Sequence, residues 1–265
     1  MNQKYPWANK DLGQHFLINE EVISNICHDF KSQAKAIIEV GPGPGILTQY
    51  LSKIECPYTV IEKDLRFKTY LEEWISNNQI VWGDALEANL SDLIDSKSFP
   101  KKDIWMVSNL PYNISVPLTL KFTKASEIKF MTLMMQKEVA ERMLPEGKKA
   151  SKNMNSLMAL TQTYFEVQKL CHVDPKSFLP PPKVDSSVLS FVRRENPIFS
   201  LEEIPSLEKF FKKLFIQRRK QMGKVLKLHF SQEKVEEVLS TLEIDSRRRA
   251  ETLSLEEVHK LYKLF

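Results

Sequence analysis

A mixed α/β chain built on a mainly parallel sheet, followed by a small helical domain, is predicted by three observations. Short apolar runs alternate with helical spacing between residues 36 and 144, the pattern of strand–helix units in a parallel sheet. The first run, 36–40, opens onto Gly41-Pro42-Gly43-Pro44-Gly45, after which Ile46, Leu47, Tyr50 and Leu51 resume helical spacing; strand, glycine turn and helix form the nucleotide-binding opening of a doubly wound fold. Around Asn196-Pro197 the pattern changes, and everything after Leu201 reads helical. The expected division is therefore a domain over 1–198 and a helical one over 199–265.

The 265 residues, 42% of them hydrophobic, are enough for one large domain with an appendage. No apolar run approaches the roughly 20 residues that span a bilayer. The net charge of +4 permits a polyanionic partner. Cys27, Cys56 and Cys171 are far apart and form no CxxC pair, which argues against a zinc site or a disulfide framework. The histidines are scattered as well. With no apolar signal core or presequence at the N-terminus, the expectation is a cytoplasmic, metal-free monomer.

Taken in order, Gly13-Gln14-His15-Phe16-Leu17 reads as an irregular segment. Asn19-Glu20-Glu21 starts a helix, with acids in its first turn and Val22, Ile23 and Ile26 on its apolar stripe. The glycine turn lacks the third glycine of the dinucleotide pattern, since Ile46 stands there, and Pro42 and Pro44 remove amide donors that a phosphate cradle needs. The turn thus favours a nucleoside-type ligand without a pyrophosphate: S-adenosylmethionine fits and NAD fits badly. A second strand, 57–62, ends in Glu62, about 20 residues past the turn, where an acid accepts ribose hydroxyls. The third, 80–84, ends in Asp84, placed to accept from an adenine amine. Singly, such acids are ordinary strand ends or caps; at successive strand ends they make a pocket.

The fourth strand, 103–108, stops at Asn109-Leu110-Pro111-Tyr112. Pro111 forbids its continuation and keeps Leu110 extended. An amide oxygen on Asn109, the Leu110 carbonyl and the Tyr112 face then suit a planar group bearing an NH2. Ser115 reads as the N-cap of the next helix. Strands follow at 129–135, 167–173 and 187–193, with helices at 137–144 and 156–165 and a loop containing Lys148, Lys149 and Lys152. Prolines 180–182 stiffen the loop carrying Phe178 and Lys183; Phe178 is either a stacking ring or a core plug. From Lys209 to Lys227 eight Lys/Arg occur without an acid, among them Arg218, Arg219 and Lys220. Arg247-Arg248-Arg249 is a second basic cluster. Both point to nucleic acid.

These pieces together resemble the KsgA family of ribosomal RNA adenine dimethyltransferases, whose relatives include the Erm enzymes. The likeness rests on Gly13 to Leu17, Glu39 to Gly45, Glu62, Gly83-Asp84-Ala85, Asn109 to Ser115 and Phe178 to Ser186. Arg218-Arg219-Lys220 and Leu253-Ser254-Leu255-Glu256 extend it into the helical part. It implies a Rossmann-like methyltransferase domain, S-adenosylmethionine contacts at His15, Leu17, Gly41, Glu62, Asp84 and Asn109, and dimethylation of two adjacent adenines in the 3′-terminal hairpin of small-subunit rRNA. It also implies catalytic roles for Asn109, Leu110, Pro111, Tyr112 and Phe178, and the small ribosomal subunit as partner. Departures are His15 in place of the commoner Asn, Asp11 where a basic residue is frequent, and a divergent 147–157 loop. An Erm-type enzyme acting on large-subunit rRNA and a non-catalytic RNA-binding assembly factor are the alternatives. A nicotinamide oxidoreductase is disfavoured by the glycine turn.

Overall fold

The computed structural model describes residues 13–144 and 153–265; Asp11 and the lysines at 148, 149 and 152 lie outside them. The described residues begin with β1 (Phe16–Leu17) and α1 (Glu20–His28). Asn19 caps α1, its side chain accepting the Glu21 and Val22 amides. Four strand–helix units follow: β2 (Ala36–Val40) with α2 (Thr48–Leu51), β3 (Tyr58–Glu62) with α3 (Lys68–Leu71), β4 (Ile80–Trp82) with α4 (Leu90–Ser96), and β5 (Ile104–Asn109) with α5 (Ser115–Lys124). Then come β6 (Ile128–Gln136), α6 (Lys137–Glu141), α7 (Ser156–Tyr164), β7 (Phe165–Val173), β8 (Phe178–Leu179) and β9 (Ser186–Arg193).

One seven-stranded sheet has the order β4-β3-β2-β5-β6-β9-β7. β2 to β6 pair in parallel, and β9 runs antiparallel to β6. All five residues of β2 and of β3 are buried, as strands covered on both faces require. Trp105 is fully buried in β5, its indole N–H satisfied by Thr132 Oγ1 at 2.8 Å. The sequence order reverses between β2 and β5, and a crevice opens beyond the carboxyl ends of strands at such a switch point.

All seven strands expected from the apolar runs are present. Two short ones were not expected: Phe16 and Leu17 pair antiparallel with Leu179 and Phe178, so the segment read as irregular is pinned through a partner more than 150 residues away. Ser115 is not an N-cap. It is the first residue of α5, and its hydroxyl donates to the Tyr112 carbonyl at 3.2 Å.

The chain divides into two compact units differently from the expected cut at 198/199. One extends to Ala140 and includes Gln168–Arg193; the other joins Glu141–Val167 to Arg194–Phe265. The reason is α7, whose residues belong with the C-terminal helices: Thr163 Oγ1 lies 2.8 Å from His259 Nε2, and Tyr164 donates its hydroxyl to the Ser200 carbonyl at 2.9 Å. This helical unit continues with α8 (Ile204–Phe215), α9 (Met222–Leu226), α10 (Gln232–Thr241) and α11 (Leu255–Leu264). α8 buries Leu207, Phe210, Phe211, Leu214 and Phe215 on one face and turns Lys209 and Lys212 outward. Phe199 meets His259 and Tyr262 edge-on, at ring-centroid distances of 5.2 and 4.9 Å.

Candidate active site

Val40, Glu62, Trp82 and Asn109 are the last residues of the four parallel strands β2 to β5. One cavity beyond these ends is lined by Gly41, Glu62, Asp84 and Asn109 to Tyr112, with Gly13 to Leu17 on another side. The glycine turn uses its amides internally. Gly41 donates to the Ile61 carbonyl at 2.9 Å, Gly45 to Pro42 at 3.1 Å, and Gly43 to Glu62 Oε2 at 2.9 Å. Gly41 and Gly43 hold φ at +66° and +55°, a region side-chain-bearing residues rarely enter. With these donors spent, the turn has no glycine amide to offer a diphosphate, and the cavity suits a nucleoside without a pyrophosphate.

Glu62 is only 6% exposed. Its carboxylate accepts Gly43 N–H and, at 2.7 Å, Asp64 N–H. Burial pushes its carboxyl above the ordinary value, and the backbone donors pull partly back. Each oxygen keeps acceptor capacity for a hydroxyl, so the pair of oxygens fits a ribose diol. Asp84 is more open. Lys63 Nζ lies 2.9 Å from its Oδ2, the Leu86 amide donates to Oδ1 at 2.8 Å, and the Lys63 contact holds the carboxyl low.

Asn109 is oriented by its neighbour across the cavity. Its Nδ2 donates to the His15 carbonyl at 3.1 Å; because a carbonyl only accepts, the amide end is assigned, and Oδ1 remains as the acceptor. Leu110 is buried, its N–H donated to the Met134 carbonyl at 3.0 Å. Tyr112 shares a 2.7 Å hydrogen bond with Ser186 Oγ. His15 donates from Nδ1 to the Pro180 carbonyl at 2.8 Å and stacks on Tyr112, centroids 5.7 Å apart at 27°. Leu17 lines the cavity as a buried residue of β1.

Phe178 is the plug and not the stacking ring. It is 2% exposed, packs in the core opposite Leu17 and does not line the cavity. Its proline-rich loop suggested a presented ring, but pairing with β1 turns the ring inward.

Residues to which the sequence assigned no role of their own complete the site. Glu39 is 1% exposed and accepts from Thr48 Oγ1 at 2.8 Å and from the Tyr58 hydroxyl; burial raises its carboxyl to about 7. It anchors the start of α2 beneath the glycine turn. Gln14 donates to Asp64 Oδ2 at 2.8 Å, and Arg66 Nε bonds Asp64 Oδ1 at 2.9 Å, tying the 13–17 segment to the end of β3. Glu39 was visible as an acid inside an apolar strand; the Gln14–Asp64 contact, 50 residues apart, left no local signal.

The basic clusters divide. Arg248 is bound by both Glu257 oxygens, at 2.6 and 3.0 Å, and by the Thr252 carbonyl. Arg247 is held by Asp245 at 3.0 Å. For Arg218, Arg219 and Lys220, in the turn after α8, no ion pair occurs among the described residues. The three exposed or half-exposed groups His172, Asp174 and Asp185 bring ligand atoms within 4.8 Å of one another, but Lys137 Nζ also lies 3.8 Å from Asp185. Among the described residues no helix is long and apolar enough to cross a membrane.

This switch-point pocket with its spent glycine amides defines a Rossmann-like methyltransferase fold. A dimethyladenosine transferase from Plasmodium falciparum matches it with a TM-score of 0.77 at 25% identity, over 93% of this chain and 96% of that one. The 23S rRNA methyltransferase ErmE shares the fold, with a TM-score of 0.69 at 23% identity over 94% and 98%. The model of the family described as ribosomal RNA adenine dimethylase matches residues 7–265. In sequence, the ribosomal RNA small subunit methyltransferase A of Bacillus pumilus is 34% identical over 98% of this chain and 92% of its own length. Its Staphylococcus aureus counterpart is 36% identical over 96% and 88%. The chain belongs to the ribosomal RNA adenine dimethylase family.

Proposed function

We propose that the chain dimethylates the exocyclic N6 amines of two adjacent adenines in the 3′-terminal hairpin of small-subunit (16S) rRNA, using S-adenosylmethionine, during small-subunit biogenesis. It works in the cytoplasm, as a monomer and without a metal. Family membership and the relatives named for the small subunit support the substrate. The observation that carries the chemistry is the orientation of Asn109, whose amide N–H is committed to His15 and whose oxygen is left as an acceptor.

The cofactor, when bound, supplies an electrophilic methyl on a sulfonium. Glu62 takes the ribose hydroxyls, Asp84 the adenine amine of the cofactor, and Gly41, Leu17 and Asn109 border its amino-acid end. The target amine is a poor nucleophile because its lone pair is delocalised into the purine. Asn109 Oδ1 and the Leu110 carbonyl accept its two hydrogens, which favours a pyramidal nitrogen with an available lone pair. Pro111 keeps this corner extended, and Tyr112 stacks the base after it is splayed from its helix. Catalysis is then by positioning and electrostatics. In each of the two transfers the nitrogen would bond to the methyl as the sulfur–methyl bond broke and S-adenosylhomocysteine left, and one proton would pass to solvent. No general base is needed, since that proton becomes acidic only as the new bond forms. In the second transfer the one remaining N–H would be held. Arg218, Arg219 and Lys220 grip the phosphate backbone; Arg247 serves chiefly to hold its own turn, and Arg248 to tie that turn to α11.

Incubation with methyl-labelled cofactor and purified small or large ribosomal subunits tests this reading. Label on adenine of small-subunit rRNA is expected. Label confined to large-subunit rRNA would favour the Erm-type activity, and no label on either would favour an assembly factor.

A further inference from the structure

Resting on the reading that Asp84 takes the adenine amine of the cofactor, we propose that Lys121 is a positioning residue for that end of the site. The turn that carries Asp84, between β4 and α4, is held from within by Asp84 itself. Its Oδ1 accepts the Leu86 amide at 2.8 Å, and its backbone carbonyl accepts the Glu87 and Ala88 amides, each at 3.0 Å. Lys121, on α5, holds the same turn by its carbonyls. Its Nζ donates to the Leu86 carbonyl at 2.7 Å and to the Ala88 carbonyl. One ammonium on a separate helix thus bridges two peptides of the turn, 35 and 33 residues away in sequence.

Lys121 does not line the cavity, so it reaches a ligand only through Asp84. Its ammonium is part-buried, and desolvation draws its pKa below the ordinary lysine value although Asp84 and Glu87 pull the other way. The Lys63 contact does most to hold the Asp84 carboxyl low, and the Lys121 charge acts in the same direction. The two cations differ in kind. Lys63 is 60% exposed and meets Asp84 as a surface pair, which contributes little order; Lys121 is committed to two carbonyls. A carboxylate that must meet one amine gains from a turn that does not move. α5 starts at Ser115, whose hydroxyl donates to the Tyr112 carbonyl, and Lys121 lies about 9 Å further along its axis at 1.5 Å per residue. The helix that leaves the Asn109 corner therefore also holds the turn for the cofactor's adenine.

The test compares two ligands by calorimetry: S-adenosylhomocysteine and its analogue with the 6-amino group replaced by hydrogen. The wild type should prefer the amine-bearing compound about tenfold or more. Lys121→Met keeps the length of the side chain and removes its charge and donors. It should weaken S-adenosylhomocysteine about five- to tenfold and the deamino compound less than about twofold, erasing most of the preference. Lys121→Arg, which keeps the charge and several donors, should retain most of it. Equal losses for the two ligands would mark a merely structural role and overturn the proposal. An unchanged preference in Lys121→Met, or an Arg variant no better than the Met variant, overturns it too. Calorimetric stoichiometry counts the folded fraction, and Lys121→Gln is read in the same way if the Met variant does not fold. A ligand-free readout is amide hydrogen exchange. Leu86 to Ala88 should exchange about tenfold faster in Lys121→Met with β5 unaltered, and unchanged exchange at those amides overturns the proposal. If the wild type shows no preference between the two ligands, the reading of Asp84 fails, while exchange still decides whether Lys121 holds the turn.

Discussion

The strand-end site and the basic surface of the helical unit use charge and polarity in opposite ways. At the strand ends each polar group is held by a fixed partner: Glu62 by two backbone amides, Asp84 by Lys63 and Leu86, Asn109 by His15. Such groups meet a ligand without reorganising, the condition under which electrostatic stabilisation is strongest. In the helical unit, Arg248 is as tightly held, by Glu257, whereas Arg218, Arg219 and Lys220 are in no ion pair among the described residues. On the proposed reading, the fixed groups at the strand ends serve the chemistry, and the cations without carboxylates are where a polyanion supplies the missing charge.

The largest effect expected from this contrast is at Asn109. Asn109→Ala should lower single-turnover methyl transfer about 10²–10³-fold, the cost of removing one preorganised transition-state contact, with subunit binding nearly intact. A rate close to wild type in rapid-quench measurements would take Asn109 out of the mechanism.

Next come two buried titratable groups that tilt the units in opposite directions with pH. His259 is buried, and desolvation lowers its pKa from 6.5 to about 4. The unfolded chain binds that proton first, so this contribution is complete above pH 6.5 and is lost as pH falls toward 4. At about 1.4 kcal/mol per pH unit the loss is about 3 kcal/mol. Glu39, raised from 4.5 to about 7 by burial, has the opposite sign: its contribution is complete below pH 4.5 and is lost as pH rises through 7. Denaturant titrations of His259→Gln between pH 4 and 7 should show a flatter acid limb than wild type. An unchanged limb would mean His259 takes up its proton without unfolding.

Glu62→Ala should weaken S-adenosylmethionine by about 1.5–3 kcal/mol, the range for hydrogen bonds to a charged group. Calorimetry giving wild-type affinity would move the ribose elsewhere.

Much of this contrast was legible in the chain, for a physical reason. The glycine turn, Glu62, Asp84 and Asn109 are set by local strand–turn–helix chemistry, so neighbouring residues reveal them. Phe178 was ambiguous because its burial depends on pairing with Leu17, and the two-residue strands are too short to carry a periodic signal. The membership of α7 in the helical unit hangs on Thr163 meeting His259, 96 residues away. The basic run was legible as charge, but counting cations does not reveal which are already neutralised: Arg248 and Glu257 are nine residues apart and meet only through the fold.

The two basic clusters yield the smallest and most selective effect. Replacing Arg218, Arg219 and Lys220 together with Gln should flatten the slope of log K against log salt for subunit binding by about 2–3 units, with cofactor affinity unchanged. Arg248→Gln should leave the slope nearly alone and lower the melting temperature, because it strands part-buried Glu257. Equal slope changes in the two variants would erase the distinction between paired and unpaired cations.

The central claim, that the strand-end corner dimethylates adenine, is tested most directly by mass spectrometry of nucleosides from unmethylated small subunits treated with the protein and S-adenosylmethionine. The account predicts N6,N6-dimethyladenosine at two adjacent positions of the 3′-terminal hairpin, and none with Asn109→Ala over the same interval. Methylation at a ring nitrogen or on another base, or equal dimethyladenosine from the Asn109 variant, would contradict it.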